Sequence, residues 1–373
     1  MSFAGNLQKI LEKFLISGKL RCVYTEDAIE IQNFVMKQLK ENDQTFREVF
    51  EGLSLGGSYL DGVKLVTPDE FDMHMKLKFP YEITPELYGD GFVCLDKGFE
   101  KINRCKLQNW LRSIFEKVGS RVTTSRGEVY TLKYVREGYG CAHTIKAVGN
   151  TRTISFDFVP ALEFPGSQWP LATPPIPAEI RNKWPWFAIP QRYPGEKNKF
   201  TFKVCAPTWE RERIKDLDNF KNVLRLMKGL RDAKKKGLPK LSSYMLKTVL
   251  LHQLDLVDWQ QDLGTLLVAM WAHLVDHLHK GRLAFFLADG HNLFSRMSPA
   301  EVVKCYVTAN EILTKLREAQ KTGSSLLLEQ LFNVKIQEFK SSEVQELKAL
   351  LKQFHDARKT FFFISFLFLS KKR

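Results

Sequence analysis

In Glu70-Phe71-Asp72-Met73-His74-Met75-Lys76-Leu77 the apolar side chains fall on every second position, a period that a half-buried β-strand satisfies and a helix does not. Phe71, Met73, Met75 and Leu77 take one face, so Glu70 and Asp72 point together from the other. Two carboxylates held that close repel, and hard divalent cations with oxygen ligands are the usual remedy. Ahead of the strand, Leu55-Gly56-Gly57-Ser58 supplies two glycines, a hydroxyl and N–H groups opening a helix. Glycines let the backbone turn tightly and approach a ligand, and N–H groups at a helix start favour phosphate. Phosphoryl transfer from a triphosphate to a hydroxyl wants both parts, a phosphate cradle and acids that hold two metals over the attacking and leaving oxygens. The plainer alternative is a hairpin with solvated acids.

The glycine-serine turn, the spacer and the acid-x-acid strand resemble the nucleotidyltransferase superfamily, and Gly57-Ser58-Tyr59 followed by Pro68-Asp69-Glu70-Phe71-Asp72 is similar to the cGAS-like receptors. The resemblance implies a third acid on a later strand. Ile154-Ser155-Phe156-Asp157-Phe158-Val159-Pro160-Ala161-Leu162 supplies Asp157, on the face opposite Phe156 and Phe158. It further implies an α+β, bilobal fold: a mixed-sheet catalytic lobe with a long N-terminal brace helix over residues 1–200, and an all-helical second lobe over 201–373. Glu70, Asp72 and Asp157 would then be both catalytic and metal-binding. They would hold two magnesium ions, for which manganese can substitute, with Asp157 also placed to help deprotonate the attacking ribose hydroxyl.

Patterning along the chain agrees with that outline. Leu7, Ile10, Leu11, Phe14 and Leu15 recur at helical spacing, and Thr25 ahead of Glu26 and Asp27 reads as the N-cap of a long helix ending near Lys40. A helix is predicted near Lys106 to Val118, with strands at Val129–Val135, Thr144–Val148 and Thr153–Val159. From Pro160 to Pro194 the chain is too rich in proline for long regular elements and reads as a crossover between lobes. After a strand at Phe200–Val204, helices are predicted at 216–236, 242–254, 261–280, 298–322 and from 341 to about 369.

In the helical half, Leu224-Arg225-Leu226-Met227-Lys228 and Leu241-Ser242-Ser243-Tyr244-Met245-Leu246-Lys247-Thr248 are similar to the family's nucleotide-gripping pair. By that resemblance Lys228 and Ser243 hold donor phosphates, Ser242 is nucleotide-binding beside them, and Tyr244 stacks on a base. Gly57, Ser58 and Lys203 complete the nucleotide-binding set. Without the resemblance, Lys228 is a solvated helix lysine and Tyr244 a core aromatic. Lys203 falls where the resembled enzyme has a base-contacting arginine, and Cys205 where a small hydroxyl is usual; these departures bear on base selection and linkage.

With Lys+Arg 56 against Asp+Glu 42 the formal net charge is +14, more than nucleotide substrates alone need, which points to a polyanionic partner. Lys9, Lys13, Lys19, Arg21, Lys221, Arg225 and Lys234 match the region that grips duplex in the resembled family. Lys234-Lys235-Lys236 with Lys240 also reads as a solvated helix end. The six cysteines lie far apart with no C-x-x-C pair, so neither a disulfide framework nor a zinc knuckle is indicated and reduced cytosol is the default. Residues Glu210 to Asp218 lead straight into Asn219 without the zinc insertion of the family's mammalian DNA sensor. That favours the insect-type receptors, which answer to double-stranded RNA, over DNA recognition.

His273, His277 and His279 share a helix but lack the acid of an H-E-x-x-H pattern. No run has the length of a membrane span, and the apolar segment Phe361–Leu369 reads as a last buried element. The expectation is a cytoplasmic enzyme joining ATP and GTP into a cyclic dinucleotide when double-stranded RNA binds, with no zinc. A dimer on nucleic acid fits the resemblance. An oligoadenylate-synthase-like enzyme with linear products and a catalytically silent nucleic-acid-binding scaffold are the alternatives.

Overall fold

Leu7, Ile10, Leu11 and Phe14 form the buried stripe of the first helix, α1 (Phe3–Phe14). The computed structural model describes residues 2–14, 18–57, 65, 69–135, 140–172, 182–195 and 197–336, leaving out the side chains of residues 18–21 and 23. The chain divides into two units, Met1–Val334 and Lys335–Arg373, and all elements below belong to the first. The predicted last helix, with the Phe361–Leu369 segment, lies outside the described residues.

Next come α2 (Gly18–Asn42), α3 (Gln44–Val49), β1 (Phe50–Leu55) and β2 (Glu70–Leu77). They are followed by β3 (Thr84–Gly89), β4 (Phe92–Lys97), β5 (Glu100–Lys101) and α4 (Arg104–Phe115). Strands β6 (Arg121–Thr123), β7 (Val129–Val135), β8 (His143–Val148), β9 (Thr153–Phe164), β10 (Trp186–Ile189) and β11 (Thr201–Cys205) complete a mixed sheet. Helix α2 begins well before the expected cap, so Thr25 is an interior residue. Asp27 then faces inward, where Arg126, Arg152 and Tyr130 bind it. The proline-rich stretch is also more regular than its composition implies, because β9 runs on to Phe164 and β10 lies within it.

Strand β9 is the hinge of the sheet. Its first half pairs antiparallel with β8 and parallel with β2, and its last residues pair with β10. Phe71 stacks on Phe156 with ring centroids 5.7 Å apart, and Phe158 meets Phe115 of α4 at 5.7 Å. Burying each such ring is worth about 1.5–3 kcal/mol. One sheet face is thereby committed to the core, and the alternate residues, acids included, are left for the other. Helix α4 starts where Asn103 accepts N–H bonds from Cys105 and Lys106, two residues before the expected start.

The remaining elements are mostly helical: α5 (Pro207–Ile214), α6 (Asp218–Ala233), α7 (Ser243–Leu251), α8 (Leu263–His279), the small ribbon β12 (Ala284–Phe285) and β13 (Ala288–Asn292), α9 (Pro299–Thr322) and α10 (Ser325–Phe332). Ser298 and Glu301 form a reciprocal capping box at the start of α9, and Gly323 closes it at φ 67°. The Trp271 indole of α8 donates to the Ala309 carbonyl of α9 at 2.9 Å.

Two sets of contacts bear on the lobe boundary expected at residue 200/201. Strand β11 pairs with β4 and β10, so the chain leaves the sheet after Cys205. Helix α1 packs against α6, α8 and α10 of the helical half. A Cβ on Gly229 would lie 2.6 Å from the Phe14 ring and one on Gly264 would lie 2.4 Å from Phe3, so close helix approach depends on both glycines. We propose on these contacts that α1 belongs to the helical lobe. Among the described residues, no helix is long and apolar enough to cross a membrane.

Candidate active site

Parallel pairing of β2 with β9 sets Asp72 directly beside Asp157, and Glu70 beside Ser155. Because alternate strand residues share a face, the three acids converge. Glu70, Asp72 and Asp157 each offer an oxygen within 4.8 Å of the others, the one such acidic, histidine or cysteine group among the described residues. Thr144 on β8 lies directly across from Asp157 and donates its hydroxyl to Asp157 Oδ1 at 2.5 Å. Sequence reasoning missed Thr144, although its alternation on β8 could have flagged it.

Gly56 and Gly57 fold over this row. The Gly56 N–H donates to the Asp72 carbonyl at 2.8 Å, extending the β1–β2 pairing by one bond. Gly57 sits at φ +62°, and a Cβ there would lie 1.9 Å from Asp72 Oδ2. Glycine is required on both counts, backbone region and space. Gly57→Ala is therefore expected to push Asp72 out of place and lower turnover by roughly a hundredfold. Its fold should survive, so turnover and melting temperature measured together check this. Ser58, the hydroxyl of the predicted cradle, lies outside the described residues.

Beneath Gly56, His74 continues the face of Glu70 and Asp72 and stacks on Phe187 at 5.1 Å. Burial, reinforced by the Arg211 charge, pushes its imidazole down to about 4. It is a neutral packing group at physiological pH.

A second cluster lies where β11 meets the helical half. Lys203 is only 7% exposed, and its ammonium sits 3.9 Å from the Phe285 ring centroid and 5.6 Å from that of Tyr244. Burial pushes Lys203 down to about 8 and the neighbouring Cys205 thiol up to about 12. The Tyr244 hydroxyl donates to Glu210 Oε1 at 2.8 Å, and Lys247 pairs with Glu210 Oε2 at 3.0 Å. Sequence reasoning missed Glu210 and Lys247, which carry no local signal for a buried ion pair.

Lys228 is not the solvated lysine its sequence alone suggests: it faces inward on α6 at 4% exposure. Ser243 accepts a hydrogen bond from Arg231 at 2.9 Å, another residue the sequence did not single out. Ser242 caps α7 by accepting from the Met245 N–H at 3.1 Å.

Four of the predicted duplex-binding residues fall on two helices in contact, α1 and α6. Lys9 and Lys13 lie off the buried stripe of α1, and Lys221 and Arg225 lie off that of α6, which α1 contacts. Lys221 pairs with Asp218 at 3.7 Å, Arg225 donates to Asn222 at 2.5 Å, and Lys234 donates to the Gln330 carbonyl at 3.1 Å. Lys19 and Arg21 belong to α2, with side chains outside the description. Of the histidines weighed for a metal, His277 bonds the Arg282 carbonyl at 3.0 Å.

A glycine turn folded onto an acid-x-acid strand, with a third acid in parallel register beside it and a helical lobe following, defines a two-lobed nucleotidyltransferase. Residues 59–189 match the Mab-21 protein nucleotidyltransferase domain, and residues 219–311 match the Mab-21 protein HhH/H2TH-like domain. The chain is 57% identical over 344 residues to a "Cyclic GMP-AMP synthase-like protein" of Drosophila melanogaster, covering 90% of this chain and 99% of that protein. It is 34% identical over 327 residues to a "Cyclic GMP-AMP synthase-like receptor" of Drosophila eugracilis, covering 80% of this chain and 86% of that one. A receptor of the same name from Lucilia cuprina is 28% identical over 358 residues, with 84% and 94% covered. The chain belongs to the Mab-21/cGAS-like nucleotidyltransferase family.

Proposed function

We propose that this protein is a cytosolic innate-immune sensor that, on binding double-stranded RNA, joins ATP and GTP into a cyclic dinucleotide of the cyclic GMP-AMP type. The observation that carries the reading is the in-register Asp72–Asp157 pair beneath Gly57, in a chain so similar to proteins bearing that synthase's name.

Fit to a divalent cation is supported by the site itself. Three carboxylates share a space of 4.8 Å, and the position where a side chain would fill the cradle is a glycine. Glu70, Asp72 and Asp157 would hold two magnesium ions, or manganese in their place, which when bound neutralise phosphate charge and assist displacement. Gly56, Gly57 and Ser58 bring backbone and hydroxyl to the triphosphate. Asp157 accepts the proton of the attacking ribose hydroxyl. The Tyr244 ring supplies an apolar face for a base and Lys203 a buried cation beside it, while Lys228, Ser242 and Ser243 serve donor phosphates. Lys9, Lys13, Lys19, Arg21, Lys221, Arg225 and Lys234 are assigned to the duplex. Their contacts are with phosphates, so sequence is not read.

The test is incubation of the purified protein with labelled ATP, GTP and magnesium plus duplex RNA, duplex DNA or neither. Phosphatase-resistant product in the RNA arm alone is expected. A ladder of linear oligomers, or no product in any arm, would overturn the reading. RNA affinity is expected to fall with salt at a log–log slope of about −0.9 per phosphate contacted. Lys13→Glu should reduce that slope by about one contact.

A further inference from the structure

We infer that Thr144 is a positioning residue for the metal-binding acids: its hydroxyl orients the Asp157 carboxylate toward Glu70 and Asp72. The inference rests on the metal-site reading above and extends it to a residue outside the acid triad. Three adjacent strands carry the row. Asp72 on β2 registers with Asp157 on β9, and Asp157 registers in turn with Thr144 on β8. Residues directly opposite across a ladder project to the same side, so all three lie on the site's face.

An ionised carboxylate has no proton to give, so the hydrogen bond must run from Thr144 Oγ1 to Asp157 Oδ1. At 2.5 Å it has the length of a charge-assisted O–H···O⁻ bond. Such a bond restrains the carboxylate plane against the repulsion of the two like charges beside it, Glu70 and Asp72. The β-branch of threonine restricts its own rotamers, so the hydroxyl is aimed before any ligand arrives. Thr144 is only 7% exposed, which keeps water from competing for Oδ1.

The strand beneath is anchored as well. His143, the preceding residue, stacks face to face on Phe115 at 4.8 Å. Its Nε2 lies 2.8 Å from Gln108 Oε1 and its Nδ1 lies 2.9 Å from the Tyr134 hydroxyl. Since Gln108 Oε1 can only accept, Nε2 carries the proton and Nδ1 accepts from Tyr134. These two bonds tie the start of β8 to α4 and β7, so Thr144 is held from both sides.

A cross-strand threonine–aspartate pair could instead serve the sheet alone, and direct metal binding separates the two roles. Mn2+ binding to the full chain is measured by electron paramagnetic resonance, alongside turnover in Mg2+ and melting temperature. Partners that orient metal ligands typically cost roughly 10- to 100-fold in affinity when removed. Thr144→Val, which keeps shape and removes the hydroxyl, is therefore expected to raise the half-saturating Mn2+ concentration by that factor. It should lower turnover at fixed Mg2+, with partial recovery at high Mg2+, and leave the melting temperature close to wild type. Thr144→Ser, which restores the hydroxyl, should return Mn2+ affinity to within about threefold of wild type, below the range expected for loss of the hydroxyl.

Wild-type Mn2+ affinity in Thr144→Val, or a Thr144→Ser variant as defective as Thr144→Val, would overturn the inference. Should the valine variant fail to fold, Thr144→Ala takes its place under the same criteria. A wild-type protein that binds Mn2+ yet makes another product would refute only the product assignment, because the binding arm still reads Thr144. A wild-type protein that binds no Mn2+ would overturn both.

Discussion

Asp72→Asn should reduce nucleotide synthesis by about a thousandfold or more while leaving the protein folded. Asp72 is where the two halves of the site meet, since its carboxylate shares the 4.8 Å space with Glu70 and Asp157 and lies directly under Gly57. Amide for carboxylate is nearly isosteric, so packing is kept and one negative charge is lost. In the metal-free protein that loss relieves repulsion among three acids, so the melting temperature should be equal to wild type or higher. Turnover should therefore fall with no drop in melting temperature, a result that a mutation which merely unfolds the sheet cannot produce. RNA binding should stay near wild type, because the proposed duplex residues lie on α1, α2 and α6 or at its C-terminal end. Glu70→Gln should behave alike. Near-wild-type turnover in either variant would remove the acids from the mechanism.

The largest stability effect is expected at Asp27. Its carboxylate is 1% exposed and receives Arg126 at 2.5 Å, the Tyr130 hydroxyl at 2.8 Å and Arg152. Arg152 also lies over the Tyr24 ring at 4.0 Å. One turn of α2 is thus fastened to β7 and to the residue that precedes β9, the strand carrying Asp157. Removing the acid leaves Arg152 and Tyr130 without their acceptor in a place water reaches poorly. Asp27→Ala should cost about 3–5 kcal/mol, read as a lower urea midpoint.

The same group gives a pH signature. Burial alone raises the Asp27 carboxyl, but the hydrogen bonds from Tyr130, Arg152 and Arg126 outweigh it, leaving the folded pKa below its ordinary 3.8. The stabilisation is therefore complete above that ordinary value and disappears as pH falls through it toward the lower folded pKa. Neutral and alkaline pH should not change it. Wild type should lose stability in that acid window, and Asp27→Asn should lose correspondingly less; parallel acid profiles would refute the assignment.

What the sequence by itself determined is what local periodicity can carry. Alternation in Glu70–Leu77 puts Glu70 and Asp72 on one face before any partner strand is known, and the helix expected over 298–322 is α9. Gly57 was legible as a turn residue, because φ > 0 against a neighbouring side chain is a demand that glycine meets best. Resemblance supplied Asp157, but its place beside Asp72 is a matter of register between strands that are neighbours in the sheet and far apart in sequence. No period in either segment specifies that register. Short strands such as β5 and β10 gave no pattern long enough to read. Helix α2 passed through the expected cap at Thr25 because the buried pairing of Asp27 with Arg126 and Arg152 joins residues about a hundred positions apart. The environments of Lys203, Glu210 and Thr144 were likewise decided by the tertiary structure. A lysine's loss of water, a glutamate's buried partner and a hydroxyl's aim at one carboxylate oxygen all depend on neighbours that only folding brings within reach.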